Sequence, residues 1–184
     1  MLDGLKMLTL KLEDIPEEGL ELKWQEDPLE LAGYLDQLSE IDFSFEGPLK
    51  SEVSIKKVGR SVLIRGEVEA VVLLRCGRCL KEFPHPIATS YDLHLHPLKG
   101  ATFKEEMDLS HDELDMGFYE GGEIQLSEIA CEQIFLEIPI QPLCQEGCRG
   151  LCSQCGTDLN VSTCQCVHKG LDSAFQVLKA FKLP

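Results

Sequence analysis

This sequence predicts an α+β fold: an antiparallel β-sheet with a few helices and a small cysteine-rich C-terminal module. Three observations predict it. Apolar residues alternate with polar ones through much of residues 8–95, as strands with one buried face require. Two later stretches change to helical spacing. Six of the nine cysteines then crowd into residues 144–166, as CQEGCRGLCSQCGTDLNVSTCQC. The boundary is expected near residue 138, with 1–138 as the main domain and 139–184 as the cysteine-rich module with its own terminal helix.

The elements follow in order. Leu8 and Leu10 mark a first strand, and Leu20, Leu22 and Trp24 a second. Asp27-Pro28-Leu29-Glu30 opens a helix near 28–38, with an aspartate to cap it and a proline suited to the first helical position. Its stripe is Leu31, Tyr34, Leu35 and Leu38. Val53 and Ile55 begin a strand that turns at Val58-Gly59-Arg60. A long strand follows, with Val62, Ile64, Val68, Ala70, Val72 and Leu74 at even positions, and it runs into Cys76-Gly77-Arg78-Cys79. Beyond that point the parity reverses to Phe83, Ile87, Tyr91, Leu93 and Leu95, so the CGRC stretch is expected at a hairpin turn. Residues 97–122 are polar and acidic and read as a loop. A helix near 127–138 has Cys131, Ile134, Phe135 and Ile138 on one face, which makes Cys131 a core residue. A last amphipathic helix begins near Asp172.

Charge is partitioned along the chain. The net charge is −15, but residues 47–82 carry eight basic and four acidic side chains, between flanks that are strongly acidic. An acidic molecule is not drawn to RNA by its overall field, because phosphate contact needs Lys and Arg. Candidate RNA contacts are therefore Lys56, Lys57, Arg60 and Arg65 of the basic stretch, with Arg78 and Arg149 beside the cysteines. The acidic flanks suit a basic protein partner equally well. No apolar run reaches the ~20 residues that span a bilayer, and the N-terminal residues lack the apolar core of a secretory signal. The chain is expected in the cytoplasm, without a membrane partner and with its thiols reduced.

The thiols fall into close pairs. Cys76/Cys79 and Cys152/Cys155 are spaced C-x-x-C, Cys144/Cys148 C-x-x-x-C, and Cys164/Cys166 C-x-C. Nine is an odd number, against a complete disulfide framework. With Cys131 set aside, eight remain, enough for two tetrahedral zinc sites of four thiolates each. The favoured pairing joins Cys152 and Cys155 to Cys164 and Cys166, and Cys76 and Cys79 to Cys144 and Cys148. A single zinc on Cys144, Cys148, Cys152 and Cys155 stays open as the alternative, so one or two structural zinc ions are expected. Redox chemistry would place C-x-x-C at a helix N-terminus, yet Pro84 and Pro86 follow and strand alternation resumes. His94, His96 and His168 read as solvated. Glu105, Glu106, Asp108, Asp112, Glu113 and Asp115 form no pattern with a nucleophile or base. No small-molecule substrate is implied, and a non-enzymatic protein is expected; a thiol or zinc enzyme, which would need an open metal position or an exposed reactive thiolate, is the less favoured alternative.

Taken together, Cys144-x3-Cys148-x-Gly150-Leu151-Cys152-x2-Cys155-Gly156-x2-Leu159-Asn160 and Cys164-x-Cys166 resemble the signature of the YceD family. The likeness extends to Cys76-Gly77-Arg78-Cys79-Leu80, to the helix over 124–138 and to Ile138-Pro139-Ile140-x-Pro142-Leu143. These are the large-ribosomal-RNA-subunit accumulation proteins of bacteria and plastids. The resemblance implies a ribosome-biogenesis factor supporting accumulation of 23S ribosomal RNA and assembly of the large subunit. Its partners would be a large-subunit RNA precursor, a basic ribosomal protein, or both. An adaptor for a basic ribosomal protein that never touches RNA is the alternative. The resemblance carries over no catalytic residue.

Overall fold

The computed structural model describes residues 8–35, 43–98 and 116–166. Their elements are β1 (Thr9–Lys11), β2 (Leu20–Glu26), α1 (Pro28–Leu35), β3 (Phe43–Phe45), β4 (Leu49–Val58), β5 (Ser61–Arg75), β6 (Glu82–Pro97), β7 (Met116–Tyr119), β8 (Glu123–Gln125) and α2 (Leu126–Glu137). The α+β expectation holds. One sheet runs β2–β4–β5–β6–β7, with β3 beside β5 past the end of β4. A separate antiparallel pair joins β1 to β8, Thr9 facing Gln125.

The alternation read in β5 is its burial pattern. Val62, Ile64, Val68, Ala70, Val72 and Leu74 are buried, and the intervening odd positions reach solvent to varying degrees. The helix α2 lies on this inner face and sets Ala130, Cys131 and Ile134 against Val68, Ala70, Val72, Leu74 and Ile87. Cys131 is the core residue expected, and burial, followed by the charges of Glu26, Glu128 and Glu132, pushes its thiol up to about 12. A second cluster gathers Leu10, Val53, Ile55, Val62, Ile64, Leu95 and Ile124, and Trp24 and Tyr91 touch both clusters. Room for the Tyr91 ring comes from Gly66 directly opposite, where a Cβ would stand 2.5 Å from Tyr91 Cζ. The start of α2 is tied in by polar bonds. The Leu8 N–H donates to Ser127 Oγ at 2.7 Å, and the Ser127 hydroxyl donates to the buried Glu26 carboxylate.

One local expectation changes. Residues 97–122 are not one loop, because β7 pairs in parallel with β6 from His94↔Met116 to Pro97↔Tyr119 and makes one edge of the sheet mixed. Parallel neighbours need a long crossover, which residues 98–115 are long enough to supply. The pairing was illegible because Met116–Tyr119 is too short to show a period, and its Gly117 leaves space filled by Leu95. The short strands β3 and β8 were missed for the same reason. β3 prolongs the β4 edge past Gly47-Pro48, where Pro48 has no N–H to give the ladder. Of the first helix, α1 covers Pro28–Leu35, with Asp27 Oδ1 accepting the Leu29 N–H at 3.1 Å. Leu38, the carboxylates of 105–115, His168 and the helix near Asp172 lie outside the described residues. No helix among the described residues is long and apolar enough to cross a membrane.

Candidate metal centre

β5 and β6 are joined by Cys76–Lys81, which forms a tight knuckle. The Cys76 N–H donates to Lys81 O and the Leu80 N–H to Cys76 O, both at 2.9 Å. The same bonds recur in the tail, where the Cys152 N–H donates to Thr157 O at 2.8 Å and the Gly156 N–H to Cys152 O at 2.9 Å. Residue five of each knuckle must be left-handed to close it. In the tail this is Gly156, at φ +71. In the hairpin it is Leu80, at φ 60, the sole non-glycine residue with positive φ among the described residues.

The tail is stitched to the hairpin by backbone. The Gly77 N–H donates to Pro142 O at 2.8 Å, and the Leu151 N–H to Arg78 O at 3.1 Å. Gly150 has φ +73, and a Cβ there would lie 3.0 Å from Arg78 O, so only glycine suits the contact. Arg78 completes the seam, donating through Nη1 to Cys148 O at 2.9 Å and Glu146 O at 3.3 Å.

This stitching gathers Cys76 and Cys79 with Cys144 and Cys148, while Cys152 and Cys155 meet Cys164 and Cys166. Within each set all four sulfurs lie within 4.8 Å of one another. In the first, Cys76 and Cys148 are 3.8 Å apart and Cys79 and Cys144 are 3.7 Å apart. A tetrahedron with metal–sulfur bonds of ~2.3 Å has edges of about 3.8 Å, whereas a disulfide needs ~2.05 Å. All nine cysteines are free. Each set is therefore able to hold one metal ion, and the grouping is the favoured one rather than Cys144, Cys148, Cys152 and Cys155 together.

The two sets differ in setting. Cys76, Cys79 and Cys148 are buried with Phe83, Leu143 and Leu151 around them, and Cys144 is half-buried. In the outer set Cys152 is buried, Cys155 is exposed, and Cys164 and Cys166 are half-buried. Crowding thiols sharpens their differences. The Cys144 backbone bond brings Cys76 down to about 6, against its burial, whereas desolvation and then Cys79 push Cys144 up to about 12. In the outer set the Thr157 hydroxyl, 3.1 Å from the sulfur, brings Cys155 down to about 6. The Cys155 side chain pushes Cys166 up to about 12. A divalent cation resolves this unequal sharing by favouring the thiolate at every position.

Asn160 braces the inner set from the tail. Its Nδ2 donates to Cys148 Sγ at 3.4 Å and to Asp158 Oδ1 at 2.8 Å, and its Oδ1 accepts the Arg149 N–H at 2.7 Å. Asp158 in turn meets Lys81 at 2.6 Å, and that bond holds the Asp158 carboxyl below its usual range and the Lys81 ammonium above its own. Sequence reasoning missed the roles of Asn160, Asp158 and Lys81. Asp158-x-Asn160 was the available signal, as an aspartate accepting from the backbone N–H two residues on.

The family model described as the large ribosomal RNA subunit accumulation protein YceD matches residues 64–182. The chain belongs to the YceD family. Both cysteine sets lie inside the match. An uncharacterized protein of Mycobacterium leprae is 30% identical over 115 residues, covering 62% of this chain and 50% of that one. The large ribosomal RNA subunit accumulation protein YCED homolog 1, chloroplastic, of Arabidopsis thaliana is 25% identical over 163 residues, covering 73% and 48%. Its Zea mays counterpart is 26% identical over 158 residues, covering 73% and 54%. The chain thus spans about half the length of these curated relatives. No solved structure matches it.

The basic residues of this YceD chain are not brought to one face. Lys56, Lys57 and Arg60 sit at the β4–β5 hairpin, where Lys57 Nζ donates to Leu12 O at 3.4 Å and Arg60 O accepts the Tyr119 hydroxyl at 2.7 Å. Arg65 lies further along β5, bonded to Asp92 at 2.7 Å. Arg78 and Arg149 stand at the far end of β5, and Arg78 is engaged in the tail seam. Fifteen residues of strand separate the two groups, roughly 50 Å at ~3.3 Å each.

Proposed function

We propose that this chain is a non-enzymatic factor supporting accumulation of 23S ribosomal RNA during large-subunit assembly, with a structural zinc ion in each cysteine set. The observation that carries the structural role is the inner set. Its four sulfurs, on hairpin and tail, lie within 4.8 Å of one another with two separations at the edge length of a tetrahedral site, and four thiolates on one zinc would leave no coordination position for a substrate. All-thiolate donors suit zinc over the harder cations. When bound, zinc would supply charge and cross-linking. The residues would do the rest, with Arg78, Asn160 and the knuckle amides keeping the thiolates aimed inward. The printed names of the plastid relatives support the ribosomal role.

On this reading the protein works in the cytoplasm on a large-subunit RNA precursor, a basic ribosomal protein, or both. Residues 1–138 would form the working sheet, and 139–184 the module clipped to it. RNA contact would use the Lys56–Arg60 hairpin, separately from Arg78 and Arg149. Affinity capture from the native extract, with and without nuclease, tests this. Large-subunit RNA lost on nuclease treatment supports an RNA-dependent role. A ribosomal protein that survives nuclease, with no RNA recovered beforehand, favours the adaptor reading. Recovery of neither sinks both.

A further inference from the structure

A groove of about 530 Å³ lies between the β6–β7 edge of the sheet and α2, away from both cysteine sets. Its floor is apolar, from Leu93, Leu95 and Ile129. Its rim is acidic, from Glu120, Glu123, Glu128 and Glu132. None of these four carboxylates meets a Lys or Arg among the described residues. Glu128 and Glu132 stand one helical turn apart on α2, a like-charge spacing that destabilises a helix on its own. Desolvation and then Glu128 hold the Glu132 carboxyl above its usual value. A cation entering the groove would relieve that repulsion.

We infer that this groove binds a cationic segment of a partner protein, with Lys or Arg on the glutamate rim and apolar side chains on Leu93, Leu95 and Ile129. Charge complementarity selects the occupant, because four carboxylates repel a nucleic-acid backbone. The apolar floor adds the requirement that the segment be amphipathic rather than merely basic. The inference rests on the proposed function for what the partner is, a basic protein of the assembling subunit. The chemistry of the groove is separable from it and is tested on purified components.

The experiment is fluorescence anisotropy of the full metal-loaded chain with a labelled peptide alternating Lys or Arg with Leu. The comparison peptide has Ser in place of each Leu. Binding is expected to favour the Leu peptide and to weaken as salt is raised. The double variant Glu128→Gln/Glu132→Gln should weaken it about tenfold, as loss of two close charge partners does. These isosteric changes remove repulsion, so the fold is retained, and the thermal midpoint checks that it is. Glu67→Gln/Glu69→Gln removes the same charge from the opposite sheet face and should alter affinity by less than about twofold. Equal losses in the two double variants, or equal affinity for both peptides, would overturn the groove and leave only the general field of an acidic protein. Either result leaves the extract capture standing, so a failure of the groove is distinct from a failure of the ribosomal role.

Discussion

Leu80 holds a conformation that glycine holds in the other knuckle, and its side chain is 59% exposed, so packing returns little for the strain. A left-handed leucine costs roughly 1–2 kcal/mol. Replacement by glycine removes that and adds ~0.5–1 kcal/mol of unfolded-chain entropy. We therefore expect Leu80→Gly to match or exceed the parent in urea stability, and Leu80→Val to fall below it because a branched Cβ suits φ > 0 least. A Val variant as stable as the parent would mean that the knuckle closes without that turn. Gly66 gives the opposite case. Its missing Cβ is the space used by Tyr91, so Gly66→Ala should cost about 1–3 kcal/mol as overpacking. Adding Tyr91→Ala should recover none of the lost ring packing but should remove the clash, so the two losses will not sum. Strict additivity in that cycle would show that residue 66 does not contact the ring.

The elements explain why some of this was readable in advance. β5 and β6 are long, one face of β5 is buried and the matching face of β6 half-buried, and a period of two sustained over so many positions has one register that hides the apolar face. β3, β7 and β8 have three or four residues each, too few to carry a period, and their partners are chosen by tertiary packing. The cysteine grouping was legible because paired spacing reports a local turn, which each knuckle supplies. The seam was not, because Arg78 reads as a surface cation until its neighbours are known. Its role separates the two metal sites experimentally. Cys76, Cys79 and Cys148 are at most 4% exposed, whereas Cys155 of the outer set is open to solvent. A competing chelator should thus remove one metal per chain quickly and the second slowly. Arg78→Ala should speed only the slow phase, since the hydrogen bonds it loses are worth about 1 kcal/mol and lie on the inner set. Acceleration of both phases together, or a single phase in the parent, would mean that the eight sulfurs act as one unit.

Across the whole molecule the two sets play unequal parts in holding the chain together. The outer set closes only the stretch from Cys152 to Cys166, so it can stay bound in a chain whose sheet has unfolded. The inner set joins residues as far apart as Cys76 and Cys148, 72 positions along the chain, and cannot survive loss of the β5–β6 hairpin. Metal at the inner set would therefore be linked to sheet stability by mass action, and metal at the outer set would not. Trp24 is the single tryptophan and sits in β2 against both core clusters, so its fluorescence follows the sheet. Unfolding it in urea at a series of buffered free zinc concentrations should give a stability that rises by about 1.4 kcal/mol per tenfold zinc, one ion released per unfolding event. A rise of about 2.7 kcal/mol would mean that both ions leave with the sheet and that 139–184 is no separate module. No rise would mean that the sheet does not feel the inner metal, and the clip between hairpin and tail would then have no energetic content.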